Sequence, residues 1–228
     1  SLWIDGEGYV RKYEMDMTSG NLFKKIIIYT IPIILTGILQ LLYNAADVAI
    51  VGKFAEESIK DAALAAVTST GSLTHLVISL FMGLSVGANV LVARFFAGKQ
   101  EEELRKTVHT AIVVSILSGV FLAVVGFAAA RQLLIWMQSP TEVIDLATLY
   151  LRIYFLGMPA NLAYNFGAAI LRGIGDTKRP LYYLSFAGVV NVVLNMIFVI
   201  VFRMDVAGVA LATVISQIIS AVLVLKCL

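Results

Sequence analysis

Asp47 is a carboxylate set inside an apolar run, Ile26 to Val51, that is long enough to cross a membrane. At about 1.5 Å of rise per residue the run makes a helix of roughly 39 Å, against a hydrocarbon core of about 30 Å, so Asp47 falls at membrane depth. Thr36, Gln40, Tyr43, Asn44 and Asp47 recur at spacings of three or four and form one polar stripe on an apolar cylinder. A carboxylate in lipid costs about 2.5 to 3.5 kcal/mol on insertion scales, so the stripe must face protein or a water-filled cavity. Later runs repeat the pattern, with Tyr150, Tyr154, Asn161 and Asn165 in one, Asn191 and Asn195 in the next, and Thr213 and Gln217 in the last. Asn, Thr and Tyr oxygens can replace the water shell of a hard cation or hydrogen-bond a protonated carboxyl. With one Asp among them, the set reads as a cation or proton site, or else as interhelical hydrogen bonding worth about 0.6 kcal/mol a pair.

The elements that carry these residues are membrane spans. Hydrophobic residues make up 60% of the 228 and charged ones only 14%, with a mean hydropathy of +0.90, which excludes an ordinary soluble domain. The expected fold class is an all-α membrane protein with residues 1–25 as a cytoplasmic tail and 26–228 as a six-helix lobe. The expected spans are 26–51, 62–92, 108–130, 146–171, 180–202 and 206–225. Gly71, Ser72, Ser79, Gly83, Ser85 and Gly87 give the second run a face for close helix packing. Pro32 and Pro159 lie inside spans, where each is a fixed kink or a hinge.

Basic residues set the orientation. Arg11, Lys12, Lys24 and Lys25 precede the first span, and Arg94, Lys99, Arg105, Lys106, Arg172, Lys178, Arg179 and Lys226 fall on the same side of the alternation. These twelve stand against Lys53, Lys60, Arg131 and Arg203 on the other side, which places both termini in the cytoplasm. A net charge of +2 gives no reason to expect nucleic acid as a partner. Cys227 is the single cysteine and has no metal-ligand neighbours, so it reads as a small apolar residue. His75 reads as a packed or hydrogen-bonded histidine, and Arg152 as a side chain reaching the interface or pairing with Asp145 or Glu142. Gly173-Ile174-Gly175 lacks phosphate-loop spacing and reads as a tight turn. The spans offer no paired carboxylates, His cluster or activated nucleophile, so no enzyme is expected.

Ile31-Pro32, Tyr43-Asn44-Ala45-Ala46-Asp47 with Gly52, Ala63-Leu64-Ala65-Ala66, the run Leu171 to Pro180, and Asn191 with Asn195 together resemble the amino-terminal half of multidrug and toxic compound extrusion (MATE) transporters. The resemblance implies one six-helix lobe of a twelve-helix transporter in the plasma (inner) membrane. It implies cation-coupled efflux, with Na⁺ or H⁺ as coupling ion, of amphipathic and often cationic drugs or metabolites by alternating access, without a cofactor. It assigns ion or proton coupling to Asp47, Asn191, Asn195 and Thr213, the cavity to Gln40, Tyr43, Tyr150 and Asn165, and helix bending to Pro32. No metal is implied beyond Na⁺ at the coupling site. Some members carry a second acid where this sequence has Asn195, which leaves the coupling ion open. The implied partners are the bilayer, a small-molecule substrate, and a missing C-terminal lobe or a second copy. The chain, beginning at Ser1, reads as a portion of a longer protein. Competing readings are a flippase for lipid-linked saccharides, which many cavity Lys and Arg would favour, and a non-transporting membrane assembly protein.

Overall fold

The computed structural model describes residues 21–54 and 60–228, all of them in helices or short connections. Most of the expected cytoplasmic tail, residues 1–20, and the middle of the first loop, 55–59, lie outside the described residues. The helices are α1 (Leu22–Phe54), α2 (Lys60–Ala97), α3 (Glu101–Trp136), α4 (Ile144–Leu156), α5 (Met158–Gly173), α6 (Lys178–Met196) and α7 (Asp205–Cys227), with a π-helical turn at Ile197–Val201 extending α6. Among the described residues five stretches are long and apolar enough to cross a membrane: Leu22–Phe54, Thr74–Ala97, Glu101–Trp136, Lys178–Val201 and Asp205–Cys227.

The fourth expected span, 146–171, is instead two helices that meet at Gly157. Pro159 causes the break, because it has no N–H for the Phe155 carbonyl one turn earlier and its ring crowds that oxygen. Gly157 N–H instead donates to the Tyr154 carbonyl at 3.0 Å, and the helical ladder resumes when Asn161 N–H reaches the Gly157 carbonyl, also at 3.0 Å. Each of α2, α3 and α7 packs against both α4 and α5, so the two pieces act as one interrupted rod in the middle of the bundle.

Close approach to that rod is achieved on α3. Its buried face is a line of small residues, Ala111, Ser115, Gly119, Ala123, Gly126 and Ala130, at helical spacing. A Cβ at Gly119 would run into the backbone of Pro159, and one at Gly126 into the Phe155 ring. The small residues expected to pack on α2 behave otherwise, with Ser72 outside the described side chains. Ser85 is buried, but Ser79, Gly83 and Gly87 are exposed, and Cβ atoms at Gly71, Gly83 and Gly87 would meet nothing within 4 Å. The packing face expected there therefore belongs to α3; smallness alone does not say which stripe is used.

Two apolar clusters hold the bundle. One joins Ile50 and Val51 of α1 to α2, Leu134, Leu151, Phe155 and Val206. The other gathers Val92, Phe166, Ile170, Leu171, Leu184 and Val224. The connections are short and turn on left-handed residues, Lys99, Gln138 and Arg203 among them, with Gly175 at φ 91° between α5 and α6. There Asp176 Oδ1 accepts the backbone N–H groups of Lys178 and Arg179, each at 3.1 Å, and caps α6. The tight turn expected at Gly173-Ile174-Gly175 is present, held by Gly175 N–H to the Arg172 carbonyl. Cys227 Sγ accepts a hydrogen bond from Arg179 Nη1 at 3.1 Å. Arg152 donates Nε to the Phe127 carbonyl at 3.3 Å and lies over the Phe127 ring, while Asp145 pairs with Arg131.

Candidate coupling site and cavity

Two helices, α6 and α7, bring Asp47 its partners. Asp47 sits on the inner face of α1 and is buried, with 4% of its surface exposed. Its Oδ1 accepts from Asn195 Nδ2 of α6 at 2.5 Å, and its Oδ2 faces Thr213 Oγ1 of α7 at 3.3 Å. Asn195 Nδ2 also reaches Asn191 Oδ1 at 3.2 Å, and Asn191 Nδ2 donates to Thr213 Oγ1 at 3.3 Å. The four side chains thus close a ring, Asp47 to Asn195 to Asn191 to Thr213 and back to Asp47. Among the described residues no basic side chain pairs with Asp47. Asn195 Oδ1 is buried without a donor, so the ring keeps an unused acceptor oxygen beside the carboxylate.

The ring opens onto a cavity of 380 Å³ between α1, α2, α4, α5, α6 and α7. Gln40, Tyr43, Tyr150 and Asn165, the expected cavity positions, all line it, as do Asp47, Asn191 and Thr213. Tyr43 hydroxyl donates to the Leu184 carbonyl of α6 at 2.8 Å, and its ring occupies the notch left by Gly188, where any Cβ would collide with it. Tyr150 and Tyr154 stack with ring centroids 6.1 Å apart, one turn from each other on α4. Asn165 Nδ2 turns back onto Asn161 of its own helix at 2.9 Å. Pro32 lies inside α1, buried and away from the lining; its carbonyl accepts from the Thr36 hydroxyl at 2.8 Å. No group of three or more His, Cys, Asp or Glu suited to a metal occurs among the described residues.

His75 takes the second of its two expected forms, hydrogen-bonded and not packed. It is exposed on the cavity wall, its Nε2 3.4 Å from Asn44 Nδ2. Ser216 and Ser220 of α7 line the cavity unanticipated, although they continue the helical spacing of Thr213 and Gln217 and could have been read from it.

A bundle of long apolar helices with a buried carboxylate at the edge of a polar cavity defines a multi-pass membrane protein. Residues 32–197 match the MatE family, and the chain belongs to it. It is 35% identical over 204 residues to the probable multidrug resistance protein YpnP of Bacillus subtilis (strain 168), covering 89% of this chain and 44% of that one. A crystal structure of MATE in the bent conformation superposes with a TM-score of 0.82 at 28% identity, over 90% of this chain and 45% of the other. One in the straight conformation gives 0.80 at 28% identity, over 90% and 44%. The chain therefore spans about half the length of the relatives it matches.

Proposed function

We propose that this chain is the N-terminal lobe of a cation-coupled exporter, six spans with both termini cytoplasmic, and that Asp47 is its coupling carboxylate. The closed ring of Asp47, Asn195, Asn191 and Thr213 carries the proposal, because it ties ion chemistry on α1 to two neighbouring helices at the edge of a cavity. The donor set fits either ion. Carboxylate, amide and hydroxyl oxygens, with Asn195 Oδ1 unused, suit Na⁺, and the same oxygens hydrogen-bond a protonated carboxyl. The joint packing of α4 and α5 against α2, α3 and α7 supports their counting as one span, which gives six. Six spans per half make two repeats of like orientation, with cargo passing between them. The relatives' description as multidrug resistance proteins supports amphipathic, often cationic, drugs or metabolites as cargo. Relatives in bent and straight conformations support Pro32 as the position where α1 changes shape. The second lobe is the C-terminal half of the same protein or a second copy.

The absence of Lys and Arg from the described cavity lining weighs against a saccharide-lipid flippase. The deciding experiment reconstitutes the full-length protein and its Asp47→Asn variant in liposomes under an imposed Na⁺ or proton gradient. Asn keeps the shape and removes the charge, so dye transport driven by the gradient should disappear while the variant still purifies as folded protein. Undiminished transport by Asp47→Asn would sink the proposal.

A further inference from the structure

Arg152 lies within an apolar helix and has no carboxylate of its own. Asp145 is taken by Arg131 at 2.6 Å, and no ion pair to Arg152 occurs among the described residues. Its Nε donates to the Phe127 carbonyl of α3 at 3.3 Å, and its guanidinium lies 5.2 Å from the centroid of the Phe127 ring. These contacts hold the guanidinium at the height of Phe127 and leave both Nη groups without a hydrogen-bond partner among the described residues. An unpaired cation inside a membrane protein calls for an anion or for water at the same depth.

The sequence of α3 gives that depth. Its charged start ends at Lys106, and at about 1.5 Å of rise the twenty residues from Val108 to Phe127 span roughly 30 Å, the thickness of the hydrocarbon core. The Nη groups therefore stand at the edge of the core, beside the layer of lipid phosphates. The helices run antiparallel here, Arg152 lying against Phe127, Phe155 against Gly126 and Pro159 against Gly119. Deeper along this seam Leu156 on α4, with Val124 and Val120 on α3, is exposed and apolar. Arg152 and Leu156 stand two residues, about 200° of helical turn, from Tyr150 and Tyr154, which line the cavity. The seam thus opens on the side of α4 turned away from the cavity.

We propose that the α3–α4 seam binds one anionic phospholipid, its phosphodiester on the two Nη groups of Arg152 and an acyl chain along Leu156, Val124 and Val120. A guanidinium matches paired phosphate oxygens in both shape and charge. Asp145 neutralises Arg131, one turn beyond Phe127 on α3, so the site carries the single positive charge of Arg152. That suits a headgroup of charge −1 better than a zwitterionic one, whose ammonium would lie beside a guanidinium. The site is separate from the ring at Asp47 and does not depend on the reading of that ring.

Tryptophan quenching in the full-length protein tests it. A Leu156→Trp reporter is placed in phosphatidylcholine vesicles doped with brominated-chain phosphatidylglycerol or brominated-chain phosphatidylcholine, and its signal is the difference from protein without the reporter. The brominated phosphatidylglycerol should quench at about one-fifth of the mole fraction that the phosphatidylcholine requires, as one basic residue facing an anionic headgroup would give. Arg152→Gln should bring the two lipids within about two-fold of each other. Lys53→Gln removes the same charge from the end of α1 and should leave the preference intact. Arg152→Lys keeps the charge without the planar fork and should retain only part of it. Equal quenching by the two lipids, or a preference that survives Arg152→Gln, would overturn the proposal. Quenching by neither lipid would mean that protein covers the seam and would overturn it too. The reporter's preference is read with Arg152 in place, so the proposal can fail even where an Arg152 variant does not fold.

Discussion

Asn195 donates its amide hydrogen to Asp47 Oδ1 over 2.5 Å, across 148 residues of chain and between α6 and α1. Both groups are buried, and Asn195 shows no exposed surface. A buried acceptor that loses its donor bears the full desolvation cost, about 1 to 3 kcal/mol and more when it is charged. Asn195→Ala should therefore lower thermal stability by at least that much at neutral pH. In the Asp47→Asn background the same change should cost less, because no charge is then left uncompensated. Thermal denaturation of the two single variants and the double variant measures the coupling, and strict additivity would mean that the contact contributes nothing.

Gly188 and Tyr43 make a second tie between the same two helices. A Cβ on Gly188 would occupy the space of the Tyr43 ring. Gly188→Ala should thus displace α1 and cost about 1 to 3 kcal/mol, as overpacking does. Tyr43→Ala clears the notch, so Gly188→Ala in that background should be nearly neutral. If Gly188→Ala is harmless beside an intact Tyr43, the ring does not sit in the notch.

The contrast between α2 and α3 gives a third expectation. Gly119→Ala drives a methyl into the Pro159 backbone, which cannot move aside as a flexible side chain can, and should strongly reduce the yield of folded protein. Gly83→Ala meets nothing within 4 Å in this chain and replaces a poor helix former by a good one, a gain of about 0.5 to 1 kcal/mol. Melting temperatures of the two purified variants check the pair. A damaging Gly83→Ala would mean that another part of the full-length protein covers that face.

Topology can be read with thiols. After Cys227 is replaced, a cysteine at Lys99 in the α2–α3 connection should resist a membrane-impermeant reagent added to whole cells, and one at Gln138 in the α3–α4 connection should react. Both parent residues are exposed. Labelling of the Lys99 position from outside would reverse the proposed orientation.

Much of this arrangement was legible in the residues. The polar spacing of three and four on α1, α6 and α7 marks Asp47, Asn191, Asn195 and Thr213 as inward-facing, and the structure joins them in one ring. Periodicity fixes the face of a helix but not its neighbour, so the ring's partners could not be read from spacing alone. The same gap explains α2 and α3, which both carry small residues, while only contact with Pro159 and Phe155 shows that α3 uses them. His75 is hydrogen-bonded to Asn44, one of its two expected forms, but a lone imidazole on an apolar helix gives no sign of whether its side of the helix meets a core or a cavity. The division of the fourth span was foreshadowed by Pro159, whose presence announces a bend without giving its form.

The π-helical turn at Ile197–Val201 follows Asn195 by a single residue, and Phe202 N–H closes it on the Ile197 carbonyl at 3.1 Å. Such a turn holds one residue more than the α-helical turn it replaces, the form an inserted codon takes when a helix absorbs it. A deletion of three bases within it would leave Asn191 and Asn195 in place but rotate all that follows by about 100°. Arg203 would lose its left-handed corner, α7 would start on the wrong face, and Thr213 would be carried away from Asp47. In genetic terms the ring should tolerate no change of length between Asn195 and Thr213, although the carboxylate's hydrogen-bond partners, Asn195 and Thr213, both lie outside the turn.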